Sequence, residues 1–166
     1  MKRISAILIC LLISVLFVSC SDEEKSEVTE QKVDVTFSFS EKGSNGNAVR
    51  VNTTLPIGML LEIEIKGAGD FHSVETVKVT GDIDGNYIKT EAQKDKNDNY
   101  IKDGAYALKI KSATLDSQPN SVIAVIGEKG EKLYGNCVFE NPETKEKSVS
   151  FSRQIVKKGS KFSLKK

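Results

Sequence analysis

Few side chains in this sequence could carry out chemistry, and their spacing limits what that chemistry is. The 166 residues include one histidine, His72, and three cysteines, Cys10, Cys20 and Cys137. A nucleophilic triad needs a base beside a Ser or Cys, so it would have to use His72. That residue sits in Asp70-Phe71-His72-Ser73, which reads as a loop without a nucleophile-elbow motif. Zinc needs clustered Cys and His ligands, and Cys137 is far from His72 in the chain. Cys137 has no neighbouring base and reads as a buried structural cysteine. Asp95-x-Asn97-x-Asn99 has the first three ligand positions of a calcium loop. Tyr100 and Tyr106 stand where an EF-hand needs Gly and Glu. Asp82-x-Asp84-x-Asn86 departs in the same way, at Tyr87 and Gln93. Residues 82–86 and 95–99 therefore read as hairpin turns, and a calcium site shared by the two loops stays open. Two carboxylates can cleave a glycoside, but the 23 acidic residues show no spacing that singles out a pair. The glycines form no phosphate-binding fingerprint. The expectation is a chain that is not an enzyme, with no catalytic residue, metal or cofactor.

Charge narrows the partners. There are 24 Lys and Arg against 23 Asp and Glu, which excludes a strongly basic nucleic-acid protein. There is no Trp, the usual stacking platform for sugars, and four tyrosines remain: Tyr87, Tyr100, Tyr106 and Tyr134. Glycan binding is disfavoured on that ground. The basic end, Lys157-Lys158-Gly159-Ser160-Lys161 with Lys165 and Lys166, reads as a solvated end that guards an edge strand. Contact with anionic lipid or a cell-wall polymer is the other reading.

The N-terminus specifies a compartment. Lys2 and Arg3 precede an apolar run from Ile4 to Val18, broken only by Ser5 and Ser14. That run is roughly 15 residues, short of the roughly 20 that span a bilayer, and it reads as a secretion signal. Phe17-Val18-Ser19-Cys20 resembles the lipobox of bacterial lipoproteins. The resemblance implies a signal peptide over 1–19, a diacylglycerol on the Cys20 thiol, and cleavage just before it. Two or three long acyl chains, palmitate-like in length, make membrane release negligible at about 0.8 kcal/mol per buried CH₂. The expected location is the extracytoplasmic side of the cell envelope, on the outer membrane or surface in a Gram-negative cell. Ser21-Asp22-Glu23-Glu24 resembles the acidic surface-export signal of some Bacteroidota lipoproteins, and also reads as a generic acidic linker. Residues 20–32 hold one apolar side chain after the cysteine, Val28, and read as a disordered tether.

A single domain is expected over 33–166. Val33, Val35, Phe37 and Phe39 alternate with polar residues and predict one strand. Met59, Leu61, Ile63 and Ile65 give the clearest alternation. Val77 with Val79, Tyr106 with Leu108 and Ile110, and Val149 with Phe151 and Ile155 mark further strands. Phe162 and Leu164 are expected to close the sheet. Gln118–Ile126 predicts a two-turn helix, with Pro119 near its start, Val122, Val125 and Ile126 on one stripe, and Gly127 as the terminating residue; a buried strand is the alternative reading. Short strands between polar turns argue for an all-β sandwich.

Asp95-Lys96-Asn97-Asp98-Asn99-Tyr100-Ile101-Lys102-Asp103-Gly104-Ala105-Tyr106-Ala107-Leu108-Lys109-Ile110 resembles a hairpin of bacterial Ig-like domains, such as the module of flagellar hook-capping proteins. Leu55-Pro56-Ile57-Gly58-Met59-Leu60-Leu61-Glu62-Ile63 is similar to a strand start of the same domains. Leu55–Gly135 is also similar to a group of bacterial lipoproteins without assigned chemistry. These resemblances imply an Ig-like β-sandwich with one short helix, and no catalytic or ligand residues. The expected function is a lipid-anchored, non-enzymatic binding or interaction module. Its partners would be the membrane, through lipid on Cys20, and an envelope protein or polymer. The alternatives are an envelope hydrolase or hydrolase inhibitor, and an accessory lipoprotein of a mobile element.

Overall fold

The computed structural model describes residues 31–67 and 70–166. The lipobox, Cys20 and all but the last two residues of the acidic segment lie outside the described residues. Twelve strands follow in chain order. They are β1 (Val33–Asp34), β2 (Phe37–Phe39), β3 (Arg50–Thr53), β4 (Leu60–Gly67), β5 (Phe71–Lys78), β6 (Thr80–Asp82), β7 (Gly85–Lys89), β8 (Gly104–Ser112), β9 (Leu133–Tyr134), β10 (Val138–Glu140), β11 (Lys147–Lys158) and β12 (Lys161–Leu164). A 3₁₀ turn at Leu115–Ser117 and one short helix, α1 (Asn120–Ile126), separate β8 from β9.

The strands form an all-β sandwich. The larger, antiparallel sheet runs β10-β11-β8-β4-β5. β12 shares the outer edge of β11 with β10: β10 pairs with Lys147–Val149, and β12 with Ile155–Lys158. The smaller sheet runs β2-β3-β7-β6, and β1 pairs parallel with β9. The alternation read from the sequence sets the faces, because successive strand side chains point opposite ways. Leu61, Ile63 and Ile65 of β4, Tyr106, Leu108 and Ile110 of β8, and Val149, Phe151 and Ile155 of β11 are all buried. Ile63 lies opposite Ile110, which lies opposite Phe151. Val51 and Ile88 face them from the smaller sheet, and Phe37 stacks on Phe151 across the layers at 5.0 Å. Each fully buried aliphatic or aromatic side chain contributes about 1.5–3 kcal/mol.

The expected single strand at 33–39 is instead two. β1 pairs with β9, and β2 pairs with β3. Buried Val35 lies between them, its N–H donating to the Tyr134 carbonyl. The hydroxyl of Thr54 accepts from the Thr36 N–H and donates to the Asp34 carbonyl, satisfying backbone groups at the break. Side-chain alternation persists through such a change because it encodes the face, not the partner. A second transfer occurs at Val79, between β5 and β6. Its N–H donates to Met59 O and its carbonyl accepts from Gly58 N–H, so it still belongs to the larger sheet. Thr80 onward pairs with β7 in the smaller one.

Tyr106 is fully buried near the start of β8. Its hydroxyl donates to the Lys102 carbonyl, four residues upstream, at 2.7 Å. Phe71 and Phe162 pack edge-on against its ring. Leu164, expected to close the sheet beside Phe162, is exposed. The helix forms where Pro119 and Gly127 bracket it, with Gly127 at φ 91°. Val122 and Ile126 face the core, whereas Val125, expected on the same stripe, turns outward.

The helix is fastened by one amide. Buried Gln118 accepts from the Leu60 N–H and donates to the Leu60 carbonyl, both at 2.9 Å, as a paired strand residue would. Removing that amide strands two backbone groups. Gln118→Ala is therefore expected to lower stability by about 1–3 kcal/mol, read as a reduced urea midpoint with an unchanged denaturant slope.

Candidate functional site

The residues singled out for chemistry are dispersed. His72 lies within β5 and not in a loop, because the turn before it ends at Asp70, held at φ 60°. Its imidazole is exposed and lies 2.8 Å from Glu64 on β4. Cys137 is half-buried against the core. Cys20 lies outside the described residues.

Both Asp-rich segments close as hairpin turns. Asp95 accepts from the N–H groups of Asn97 and Asn99 at 2.8 and 3.0 Å. Those bonds, Asn99's foremost, hold its carboxyl below the ordinary range. Asp98 takes φ 64° and pairs with Lys94 at 2.8 Å. In the other turn Asp82 accepts from Asp84 N–H and pairs with Arg50 at 3.0 Å, while Asn86 donates to the Leu55 carbonyl. These ligand-type side chains thus serve the turns themselves. Among the described residues no three His, Cys, Asp or Glu side chains group around a point that could hold a metal ion.

The tyrosines do not form a platform. Tyr106 is buried, and the Arg50 guanidinium covers the Tyr87 ring at 3.7 Å. Tyr100 and Tyr134 are exposed, one on the 95–99 hairpin and one on β9. The basic end also divides. Lys157 is buried, its ammonium donating to the Gly159 carbonyl beside Asp103, so it is not part of a solvated patch.

What the fold does assemble is an aliphatic surface at one end of the sandwich. A groove of about 500 Å³ is lined by Lys32–Asp34, Pro56, Ala124, Val125 and Lys132. Loop 55–58 carries the surface onward. Gly58 faces Val122 of the helix, and Ile57 lies over Gly81, where a Cβ would come within 2.9 Å of the Ile57 methyl. Ile83 then projects from the tip of the β6–β7 turn. Ile57 is 62% exposed, Val125 43%, and Ile83 completely. Lys32 and Lys132 pair with no carboxylate among the described residues. The sequence puts Ile83 in the 82–86 turn and Ile57 in a strand start, and gives neither a role. At Ile83 the signal was an isoleucine between two aspartates of a polar turn.

No family model matches the chain, and neither a curated protein nor a solved structure shows significant similarity to it.

Acid lability follows from the carboxylates that serve the backbone. Asp103 accepts from Gly159 N–H at 2.8 Å and sits beside Lys157, and both hold it below the ordinary range, the backbone bond more strongly. A carboxylate depressed in the folded state contributes stability above its unfolded pKa and loses it as pH falls through the folded one. Melting temperature is therefore expected to fall from about pH 5 downward. Asp95→Asn with Asp103→Asn should flatten that profile in a thermal-melt series between pH 6 and 2.

Proposed function

We propose that this protein is a non-enzymatic binding module of the bacterial cell envelope, lipid-anchored through Cys20 on the extracytoplasmic side. It docks an envelope protein on the groove-bearing end of the sandwich. The lipobox-like Phe17-Val18-Ser19-Cys20 supports the anchor. Tyr106, whose hydroxyl returns to the backbone upstream at the start of a strand, supports the Ig-like resemblance, since that corner recurs in Ig-type sandwiches.

The observation that carries the reading is the position of the aliphatic surface. Val125 lines a groove with Lys32–Asp34 and Pro56, Ile57 follows Pro56 in the chain and lies over Gly81, and Ile83 projects from the turn two residues on. Loops on such a scaffold are where binding is built. Exposed aliphatic residues with flanking lysines fit a protein segment that presents apolar side chains beside carboxylates. The domain leaves the tether at this same groove. From Cys20 to Gln31 the chain reaches at most about 36 Å, so a docked partner is one resident close to the membrane.

Two measurements test this. Mass spectrometry of the mature N-terminus should find an acylated Cys20, and Cys20→Ser should leave the membrane fraction. Crosslinking in intact envelopes should give a discrete protein adduct, which Ile57→Asp with Ile83→Asp reduces at least tenfold while circular dichroism is unchanged. An adduct that survives those changes, or retention on purified peptidoglycan or polysaccharide alone, overturns the docking surface.

A further inference from the structure

The two edges of the larger sheet are treated differently. β10 and β12 cover one edge, and β5 forms the other, with β4 as its sole strand partner among the described residues. The direction of its backbone groups is fixed by Val79, whose N–H and carbonyl both face the Met59 side. In an antiparallel ladder both groups of a residue point one way and those of the next residue point the other. Val77, Glu75, Ser73 and Phe71 therefore bond to β4. His72, Val74, Thr76 and Lys78 turn their N–H and carbonyl groups to the open edge. Among the described residues nothing bonds to these backbone groups. An uncovered edge of eight residues is a template for strand addition.

We infer that β5 pairs antiparallel with β5 of a second copy of this chain, on a twofold axis through Val74, joining the two larger sheets into one. Charge and polarity along the strand select that register. With Val74 opposite Val74, Lys78 meets Asp70, Phe71 meets Val77, His72 meets Thr76 and Ser73 meets Glu75. Lys78 comes beside the partner copy's Asp70 in the turn that precedes the strand, Phe71 and Val77 continue the core at the two ends, and Ser73 with Glu75 make a polar inward pair between them. Moving the axis to Glu75 sets Glu75 against Glu75, an unfavourable like-charge pair. Moving it to Ser73 sets Phe71 against Glu75. Odd shifts turn one sheet's buried face outward. The Val74 axis makes about six central backbone hydrogen bonds, two for each of three residue pairs. Val74 is 59% exposed on the outer face, so the paired valines also cover each other. The pairing is independent of whether Cys20 is acylated.

The test uses the mature chain with Cys20→Ser, in sedimentation velocity across a concentration series. A dimer is expected. Val74→Pro deletes an N–H that faces solvent in the monomer, so it should leave the fold intact by circular dichroism and abolish the dimer. Lys78→Glu should weaken dimerisation at least tenfold, and adding Asp70→Lys should restore it. A monomer at every concentration up to about 100 µM overturns the proposal. So does a dimer indifferent to Val74→Pro, and so does strand addition by a foreign peptide with no self-pairing.

Discussion

The position of β8 between β4 and β11 is the constraint on which the molecule depends. Its three inward residues, Tyr106, Leu108 and Ile110, are sealed from water, and each lies opposite a buried residue on at least one neighbouring strand: Ile155, Ile65, and both Ile63 and Phe151. Cys137 is the one cysteine among the described residues and is free, so the cohesion of these strands comes from layered burial and not from a disulfide. The other elements are arranged to keep it covered. Phe37 closes it from the opposite sheet, Phe162 from β12, and α1 from one end through Val122 and Ile126.

Chain crossings are where such a fold is vulnerable, because a backbone that leaves one ladder for another exposes unpaired polar groups to an apolar interior. Three devices solve this. The Thr54 hydroxyl bridges the break between β1 and β2, Val79 keeps its bonds to the first sheet while feeding the second, and the Gln118 amide imitates a strand residue. At Thr54 and Gln118 a short polar side chain does the work of a missing strand partner, and at Val79 the backbone itself does.

Much of this was legible in the residues. Strict alternation made β4 and β8 readable, and β11 despite Arg153 between Phe151 and Ile155; Asn, Asp and Gly marked the turns, and Pro119 with Gly127 bracketed the helix. What escaped has physical causes. Period-two alternation does not say which strand is the neighbour, so 33–39 looked like one element. β5 was only half visible because Ser73 and Glu75 stand at inward positions, where the period-two pattern expects apolar residues. Lys157 looked solvated because its partners, Asp103 and the Gly159 carbonyl, come together only once β11 has turned back. The aliphatic end was hidden in the same way. Its members come from separate turns and a helix, and only the fold makes them neighbours.

β1 has a mechanical consequence. It is held by a two-residue parallel pairing to β9, and it is the first strand of the described residues. A pull applied at Gln31 therefore loads Val33 and Asp34 before any strand of the two main sheets. Peeling the segment as far as Thr36 releases about 13 Å of extra reach at roughly 3.3 Å per residue, while β2 onward stays folded. The first few hydrogen bonds thus act as a yielding link, which gives under strain and spares the body behind it.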